Sequence, residues 1–454
     1  MSAAEPGGRA VVVGGGLAGC EAAHQLAARG VRVDLVEMKP AERGPAHRQD
    51  GLAELVCSNS LRGESLSNAV GLLKAELARL GSLLVAAARE TAVPAGRALA
   101  VDRRSFSRRV ESRLAAAKNV RLVRRRADRL PERGGAIVAT GPLTDGGLLD
   151  DLAARAGLLR YHDAIAPLVA AESVDTRVAF AADRYEDGDD GREAAYLNCP
   201  FDEPEYRRFV AELVAAQKTP LRDFETAPFF EGCLPVEEMA ARGPLTLAHG
   251  PLKPVGLVDP RTGRRPFAVA QLRPEDAART AYNLVGFQTR LTRPEQRRVL
   301  RGIPGLERAA FERYGQVHRN TFVDAPRVLD DRARLRAAPH VRLAGQLTGV
   351  EGYVESIASG LLVGLWTAAE ALGEALAPPP PTTALGGLWR HTRRAAGDYQ
   401  PSNVVWSMID CPPRRRRQRK HEHRRAAAER ALADLEGWIA DHPRLFVAGG
   451  DGLG

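Results

Sequence analysis

Residues 9–38, RAVVVGGGLAGCEAAHQLAARGVRVDLVEM, decide the fold of this chain. An apolar strand ends in a glycine turn, an Ala-rich helix follows, and a second apolar strand closes the unit at Glu37. The turn and the start of the helix consist of Gly14, Gly15, Gly16, Leu17, Ala18 and Gly19. This order predicts a βαβ unit of the dinucleotide-binding type.

Each part of the turn has a physical role. Gly14 permits the tight turn, Gly16 lets the backbone approach a pyrophosphate, and Gly19 lets helix and strand pack closely. The helix N-terminus carries partial positive charge for the phosphates, and Glu37 can accept hydrogen bonds from ribose hydroxyls. The fingerprint predicts a dinucleotide site without choosing between FAD and NAD.

Two later segments are expected to join the same sheet. GGAIVATGP, 134–142, is typical of a buried strand that ends in a turn at Gly141. HVRLAGQLTGVEGYVESIASG, from 340, predicts a strand, a second glycine turn and a long helix. That second turn contains Gly345, Gln346 and Gly349, and it favours FAD, because flavoproteins of the glutathione-reductase type use such a turn around the flavin ring. No second fingerprint for NADH or NADPH stands out.

The predicted fold class is therefore α/β, with a glutathione-reductase-like (Rossmann-type) FAD-binding domain. We expect this domain to comprise residues 8–149 and 331–376, with an inserted α+β substrate domain at 150–330. Residues 377–388 contain four prolines and are predicted to be a linker. Residues 389–440 then form a basic C-terminal helical segment.

Positive charge is concentrated in that last segment. The net charge of the chain is +9, and residues 390–425 hold eleven Lys or Arg against three acids. Such a segment favours a polyanion partner, although a solvated basic helix is the alternative. Trp389, Tyr399 and Trp406 are interleaved with the charges, which suits phosphate contacts combined with stacking on RNA.

The cysteines must be judged singly. There are five, at 20, 57, 199, 233 and 411, and their odd number and wide spacing argue against a disulfide framework. Cys411 with His421 and His423 matches no trusted zinc spacing, so no metal site is expected. The chain has no export signal at its start and no apolar run of the length a membrane span needs, so a cytoplasmic protein is expected.

Several stretches together resemble one family. They are GGGLAGCEAA, LAELVCSNSLRGESLSNAVGLLKAE, GREAAYLNCPFDEPEY, FEGCLPVEEMAARG, GPLKPVGLVDP, AVAQLRPEDAARTAYNLVGFQTRL, RYGQVHRNTF, AGQLTGVEGYVESIASG and YQPSNVVWS. In this order they are similar to the folate- and FAD-dependent tRNA (uracil-5-)-methyltransferases of bacteria. The resemblance implies that a one-carbon unit from 5,10-methylenetetrahydrofolate is passed by way of reduced FAD to C5 of uridine 54 in the tRNA T loop, with NADH or NADPH as reductant.

The implied chemistry needs two thiols. Uracil C5 becomes nucleophilic only after a group adds to C6, and a thiolate is a suitable group. The C5 proton must later leave, which calls for a base. The resemblance makes Cys233 the nucleophile on C6 and gives Cys57 the role of base or guard, although which thiol does which job stays open. His318, Arg319 and Asn320 form either a ligand-facing cluster or a structural network.

Three other function classes remain as alternatives. One is a related flavoenzyme acting on wobble uridine in tRNA, and another is a flavin oxidoreductase for a small molecule. The third is a non-catalytic flavoprotein that binds RNA. The oligomeric state and the folate-contacting residues are not predicted.

Overall fold

The computed structural model describes residues 8–132, 134–184, 194–220, 234–394, 399–414, 416 and 418–446. Within these residues the strands are β1 Arg9–Val13, β2 Arg32–Glu37, β3 Ser60–Gly63, β4 Ala92–Val93, β5 Ala98–Val101, β6 Val120–Arg124, β7 Gly135–Val138, β8 Leu159–Ile165, β9 Leu168–Ala170, β10 Phe180–Ala181, β11 Leu197–Phe201, β12 Ala268–Pro274, β13 Ala281–Leu284, β14 Phe311–Arg313, β15 Gln316–Phe322, β16 Arg334–Leu335 and β17 Ala338–Leu343. The helices are α1 Leu17–Ala27, α2 Ala69–Arg79, α3 Leu83–Glu90, α4 Arg103–Ala116, α5 Gly146–Ala156, α6 Glu203–Ala215, α7 Val236–Ala241, α8 Thr246–His249, α9 Arg293–Leu300, α10 Ala325–Val328, α11 Tyr353–Ala371, α12 Ala384–His391 and α13 Lys420–Ala440.

The first sheet has the strand order β16-β17-β7-β1-β2-β6. All of its strands run parallel except β16, which pairs antiparallel with β17. The late strand β17 lies beside β7, so the expectation that both ends of the chain build one sheet is confirmed. Its strands are largely apolar and buried, as parallel strands covered on both faces must be.

Helices α1 and α11 pack closely on this sheet. A Cβ at Gly360 of α11 would lie 2.1 Å from the carbonyl oxygen of Ala18, so only glycine allows this approach. At Gly364, one turn further, a Cβ would lie 3.0 Å from Ala22. The glycine turn that precedes α1 is thereby fixed against an element from the other end of the chain.

A second sheet, with the order β10-β11-β12-β13-β9-β14, is built from the middle of the chain and is antiparallel throughout. It has its own apolar core, to which α6 contributes Tyr206, Phe209 and Leu213. The antiparallel ribbon of β8 and β15 leads into and out of this region. The mixture of strands and helices fits the α+β character predicted for it.

The C-terminal segment folds back onto the first region. Helix α12 begins at Ala384, inside the segment predicted as linker, because the buried carboxyl of Glu76 accepts the N–H groups of Ala384 at 2.7 Å and Leu385 at 2.8 Å. Thr383 caps the same helix through Gly386. The prolines therefore lead directly into a docked helix, and the linker is shorter than predicted.

Helix α13 carries an apolar stripe. Leu432, Leu435 and Trp438 are buried in the same core as α1 and α11, and Ile439 packs at its edge. The Trp438 indole N–H donates to the Ala377 carbonyl at 3.1 Å. In the part of the chain that the structure describes, no helix has the length and apolarity needed to cross a membrane.

Candidate active site

An open cleft lies at the carboxyl ends of the parallel strands. Its walls are the loops that follow β1, β2, β6, β7 and β17. This edge is where open α/β sheets bind their ligands. Most of the residues predicted to bind the cofactor line it, namely Gly14, Gly15, Gly16, Leu17, Ala18, Glu37, Gly141, Gly345 and Gln346.

The glycine turn at the cleft floor has the conformation that its sequence requires. Gly14 has φ of +103°, a region that side chains disfavour. A Cβ at Gly19 would lie 1.8 Å from the Gly14 carbonyl oxygen, so Gly19 serves helix packing and does not line the cleft. A Cβ at Gly16 would meet no atom within 4 Å, and the space in front of Gly16 is therefore open to a ligand.

Glu37 stands at the end of β2 with its carboxylate directed to the turn. One oxygen accepts the Gly15 N–H at 2.7 Å, and the other accepts the Lys39 N–H at 2.9 Å. A carboxylate has about four lone-pair positions, so capacity remains for hydroxyl donors in the cleft. This placement suits the predicted contact with a ribose.

The later glycines play different parts. Gly141 and Gly345 both have positive φ, at +80° and +72°, and both line the cleft. Gly349 also has φ of +80°, but a Cβ there would lie 2.5 Å from the Tyr399 hydroxyl oxygen. Gly349 therefore makes room for the C-terminal segment and lies outside the cleft wall.

These features fit a flavin dinucleotide. The open space at Gly16 lies at the N-terminus of α1, where the helix dipole and free N–H groups favour phosphate. Glu37 provides an acceptor on one side, and Gln346 and Tyr353 line the cleft on another. A cleft that spans five strand ends has the elongated form a dinucleotide needs.

Cys57 follows Val56, a residue of the cleft wall, and two arginines hold its loop. Arg103, at the start of α4, donates to the carbonyl of Leu55 at 2.5 Å and to that of Cys57 at 3.3 Å. Arg313, at the end of β14, donates to the carbonyl of Val56 at 3.2 Å and to that of Cys57 at 3.1 Å. The loop is thus fixed between the two sheets.

Tyr353, the first residue of α11, completes the anchorage of this loop. Its hydroxyl oxygen accepts the Cys57 N–H at 2.7 Å and the Ser58 N–H at 3.0 Å. Burial and then the charge of Asp163 raise the pKa of the Cys57 thiol to about 12, although the charge of Arg313 opposes this shift. In this arrangement Cys57 is a protonated thiol near neutral pH.

A buried acidic cluster shares the surroundings of Cys57, and no sequence motif pointed to it. The Glu351 carboxylate accepts the side-chain amide of Gln346 at 2.9 and 3.0 Å and the hydroxyl of Tyr161. Burial and then the charge of Asp163 raise the pKa of Glu351 to about 7. In the sequence, the feature that could have indicated this cluster is the single acid inside the otherwise apolar glycine turn GVEGYV.

The ribbon of β8 and β15 presents part of this cluster. Asp163 stands directly opposite His318, and Tyr161 stands opposite Asn320, so the four side chains share one face. Burial and then the charge of Arg48 lower the pKa of His318, which keeps its ring neutral. The predicted His318–Asn320 cluster therefore lies across from an acid of the Cys57 surroundings.

The second predicted catalytic thiol, Cys233, lies outside the described residues. Helix α7 begins shortly after it, at Val236. Cys20 and Cys199 are fully buried. The Cys20 thiol donates to the Gly15 carbonyl at 3.2 Å, and burial raises the pKa of Cys199 to about 12, so both thiols pack inside the protein.

Two of the three aromatic residues of the basic segment, Trp389 and Tyr399, are buried, so the prediction that these two stack on RNA is wrong. Trp389 is buried against Trp366, with ring centroids 4.7 Å apart. Tyr399 is buried and its hydroxyl donates to the Thr348 carbonyl at 2.7 Å. Trp406 is half-buried and donates to the Ser67 carbonyl at 2.8 Å. Docking of the segment onto the core uses these rings, which composition alone could not reveal.

The charges of the segment do face solvent. The exposed arginines and lysines before and within α13 include Arg414, Arg416, Arg419, Lys420, Arg425 and Arg430. Arg424 lies over the Trp406 ring at 5.6 Å, and the Trp406 indole N–H donates to the Ser67 carbonyl in the loop after β3. The basic surface is therefore tied to that loop.

Comparison with known proteins agrees with this architecture. A sequence model of the glucose inhibited division protein A family matches residues 9–375. A methylenetetrahydrofolate–tRNA-(uracil-5-)-methyltransferase of Geobacter sulfurreducens is 56% identical over 437 residues, covering 95% of this chain and 99% of its own length. One of Anaeromyxobacter dehalogenans is 55% identical over 452 residues, covering 97% and 98%. The chain belongs to this methyltransferase family. The matches to these two relatives extend over nearly the whole chain.

Solved structures support the fold. The GidA protein of Aquifex aeolicus in its form II crystal superposes with a TM-score of 0.69 at 15% identity, covering 96% of this chain and 74% of that one. The form I crystal gives the same TM-score at 16% identity, covering 95% and 76%. The predicted Rossmann-type fold is thereby confirmed for this member of the methyltransferase family.

Proposed function

We propose that this protein transfers a one-carbon unit from 5,10-methylenetetrahydrofolate to C5 of a uridine in tRNA and so forms 5-methyluridine. The observation that carries the proposal is a cysteine, Cys57, held by three side chains beside a dinucleotide cleft. The relatives of Geobacter and Anaeromyxobacter, whose names state this activity, support it. The uridine is position 54 of the T loop, and the reductant is NADH or NADPH.

The cleft is the proposed FAD site. FAD bound there would supply the two-electron chemistry that completes the methyl group. Gly14 to Ala18 and Gly141 would provide the backbone surface for the phosphates, and Glu37 would accept the ribose hydroxyls. Gly345 and Gln346, which also line the cleft, would hold the ring system.

The two cysteines divide the work on uracil. Cys233 supplies the thiolate that adds to C6 and gives C5 its nucleophilic character. Once C5 carries the one-carbon unit, its proton must be removed, and Cys57 either serves as the base for that step or guards the site. The anchorage of the Cys57 backbone by Tyr353, Arg103 and Arg313 keeps the thiol in place while the substrate enters.

The exposed basic surface around the start of α13 binds the tRNA. Its charges contact phosphates, so affinity falls steeply as salt rises. Since the rings of Trp389 and Tyr399 are buried, affinity there is mainly electrostatic. A T-loop uridine must leave its stack to reach the cleft. The hydrogen bond from Trp406 to Ser67 joins the C-terminal segment to the chain that follows Cys57, which supports this route. We place this reaction in the cytoplasm, where tRNA and reduced nicotinamides are found.

The direct test supplies purified protein with a tRNA transcript, methylenetetrahydrofolate and either NADH or NADPH. We expect 5-methyluridine in the nuclease digest only when folate and a reduced nicotinamide are both present. A transcript with cytidine at position 54 is the matched control and should gain no methyl group. Absence of product with the unaltered transcript would refute the proposal, and a modified wobble uridine would assign the chain to the related activity instead.

A further inference from the structure

The second glycine turn, residues 345–352, is held on one side by the C-terminal segment. The first two residues of the turn line the cleft. Further along the turn, the Ser402 N–H donates to the Gly349 carbonyl at 3.1 Å, and the Glu351 N–H donates to the Ser402 carbonyl at 2.9 Å. These bonds form a parallel β-bridge between Val350 and Ser402. A short stretch of the C-terminal segment therefore runs along the turn that borders the cleft.

Asn403 adds a side-chain contact to this backbone pairing. Its amide donates to the Glu351 carbonyl at 2.6 Å. The next residue, Val404, donates its N–H to the buried carboxylate of Glu355 at 2.9 Å. Gly352, which follows Glu351, has φ of +107°, and a Cβ there would lie 2.9 Å from the Asn403 amide nitrogen. The turn therefore has a glycine at the point where Asn403 packs against it.

Two hydrogen-bonded contacts connect Asn403 to the cleft. Glu351, whose carbonyl accepts the Asn403 amide, also binds Gln346 through its side chain. The Glu351 carboxylate accepts the Gln346 amide at 2.9 and 3.0 Å, and Gln346 is part of the cleft wall. Glu351 itself is buried, so both of its contacts are shielded from water. Asn403 thus fixes the backbone of the residue that fixes Gln346.

The C-terminal segment does not depend on Asn403 for its own docking. On one side of Asn403, the Tyr399 hydroxyl donates to the Thr348 carbonyl at 2.7 Å. On the other side, the Trp406 indole N–H donates to the Ser67 carbonyl at 2.8 Å. Loss of the Asn403 amide leaves both contacts in place. Its removal should therefore act on the conformation of the turn and leave the segment docked.

We propose that Asn403 is a positioning residue for FAD, which acts through Glu351 and Gln346 to hold the second glycine turn in its cofactor-binding conformation. It touches neither cofactor nor substrate. The C-terminal segment then has two roles, since it carries the basic surface for tRNA and also shapes the cleft. This inference rests on the FAD site of the proposed function, and the test below separates the failure of one from the failure of the other.

The test titrates the full-length protein, stripped of its flavin, with FAD and follows the quenching of flavin fluorescence. In Asn403→Ala the turn loses one hydrogen bond in the free protein, so fewer molecules have the binding-competent turn. We expect the dissociation constant of FAD to rise about fivefold, the factor that corresponds to one net hydrogen bond. The dissociation constant of tRNA should stay within about twofold, because no charge is removed.

The matched control is Asn119→Ala. Asn119 is also half-buried, and its amide donates to a backbone carbonyl, that of Ala27, at 3.4 Å. That bond has no connection to the second glycine turn, so N119A should bind FAD within about twofold of the unaltered protein. Asn403→Gln keeps an amide donor and should recover part of the affinity that N403A loses. If the unaltered protein binds no FAD, the proposed FAD site itself fails.

A double-mutant cycle with Gln346 distinguishes positioning from a general structural role. Because Asn403 acts through Gln346, N403A should raise the FAD dissociation constant by less than about twofold in a Gln346→Ala background. A fivefold rise in both backgrounds would overturn the inference, as would unchanged FAD affinity in N403A. Asn403→Asp keeps the shape of the side chain and removes its donor, so it replaces N403A in the cycle if that variant folds poorly, with the same outcomes expected.

Discussion

The glycine turn and the Cys57 loop border the same cleft, but their conformations have different origins. In the turn, Gly14 donates to the Val36 carbonyl at 2.8 Å and Gly15 donates to Glu37, so contacts within one βαβ unit define it. The Cys57 loop is held by residues that lie 46, 256 and 296 positions further along the chain. A local spacing rule can describe the first structure, whereas the second exists only once two sheets and α11 have assembled.

The largest loss of stability and of FAD should come from a substitution in the glycine turn. In Gly19→Ala the new Cβ would lie 1.8 Å from the Gly14 carbonyl oxygen, so the turn must shift, at a cost of about 3 kcal/mol or more. We expect the protein to purify without FAD, as measured by its visible absorbance and by its free energy of unfolding in urea. Gly437→Ala in α13, where a Cβ meets nothing within 4 Å, should keep its FAD and gain up to about 1 kcal/mol. Full FAD occupancy in G19A would contradict the view that the glycine turn is defined by contacts within its own βαβ unit.

Loss of a long-range contact to the Cys57 loop should reduce methylation without loss of FAD. Arg313→Met removes the donors to the carbonyls of Val56, Cys57 and Ala166 and leaves the cleft residues unchanged. We expect FAD to remain bound while tRNA methylation falls about 100-fold, the scale associated with a 1 Å displacement of a reacting group. Both quantities are measured on one preparation.

Its matched control is Arg177→Met, at an exposed arginine paired with Asp175. That variant should methylate tRNA at the rate of the unaltered protein, because exposed ion pairs contribute little. Equal losses of FAD and of methylation in R313M would mean that the Cys57 loop and the FAD cleft form one unit, contrary to the comparison.

The same contrast explains what the sequence could predict. Gly14, Gly16, Gly19 and Glu37 were assigned from spacing alone because each role is set by covalent geometry within one unit. The motifs of the family pointed to Cys57, but its arginine and tyrosine anchors have no spacing relation to it. Gly349 combines both cases. Its glycine turn was predicted from the sequence, but its close contact with Tyr399 was not.

Burial was the other quantity that the sequence did not provide. Trp389 and Tyr399 were predicted to stack on RNA because they stand among arginines, yet their rings fill the core. Glu351 and Glu76 are acids in otherwise apolar surroundings, and both proved to be buried and hydrogen-bonded. Whether a polar or aromatic residue faces solvent depends on which elements dock over it, and that is decided by the tertiary structure.

The smallest predicted effect separates Cys57 from an ordinary surface thiol. A free thiol has a pKa of ~8.5, whereas burial and Asp163 raise that of Cys57 to about 12. Between these values the unfolded chain binds fewer protons than the folded protein, so the free energy of unfolding must fall as pH rises. From pH ~7.5 to ~9.5 this thiol should lower the free energy of unfolding by about 1.4 kcal/mol.

Urea unfolding at the two pH values measures this change. Over the same interval, the free energy of unfolding of Cys57→Ala should fall by about 1.4 kcal/mol less than that of the unaltered protein. The comparison uses the pH-dependence of each protein, so any difference in their absolute stability cancels. Identical pH-dependence in the two proteins would mean that the surroundings of the Cys57 thiol do not keep it protonated.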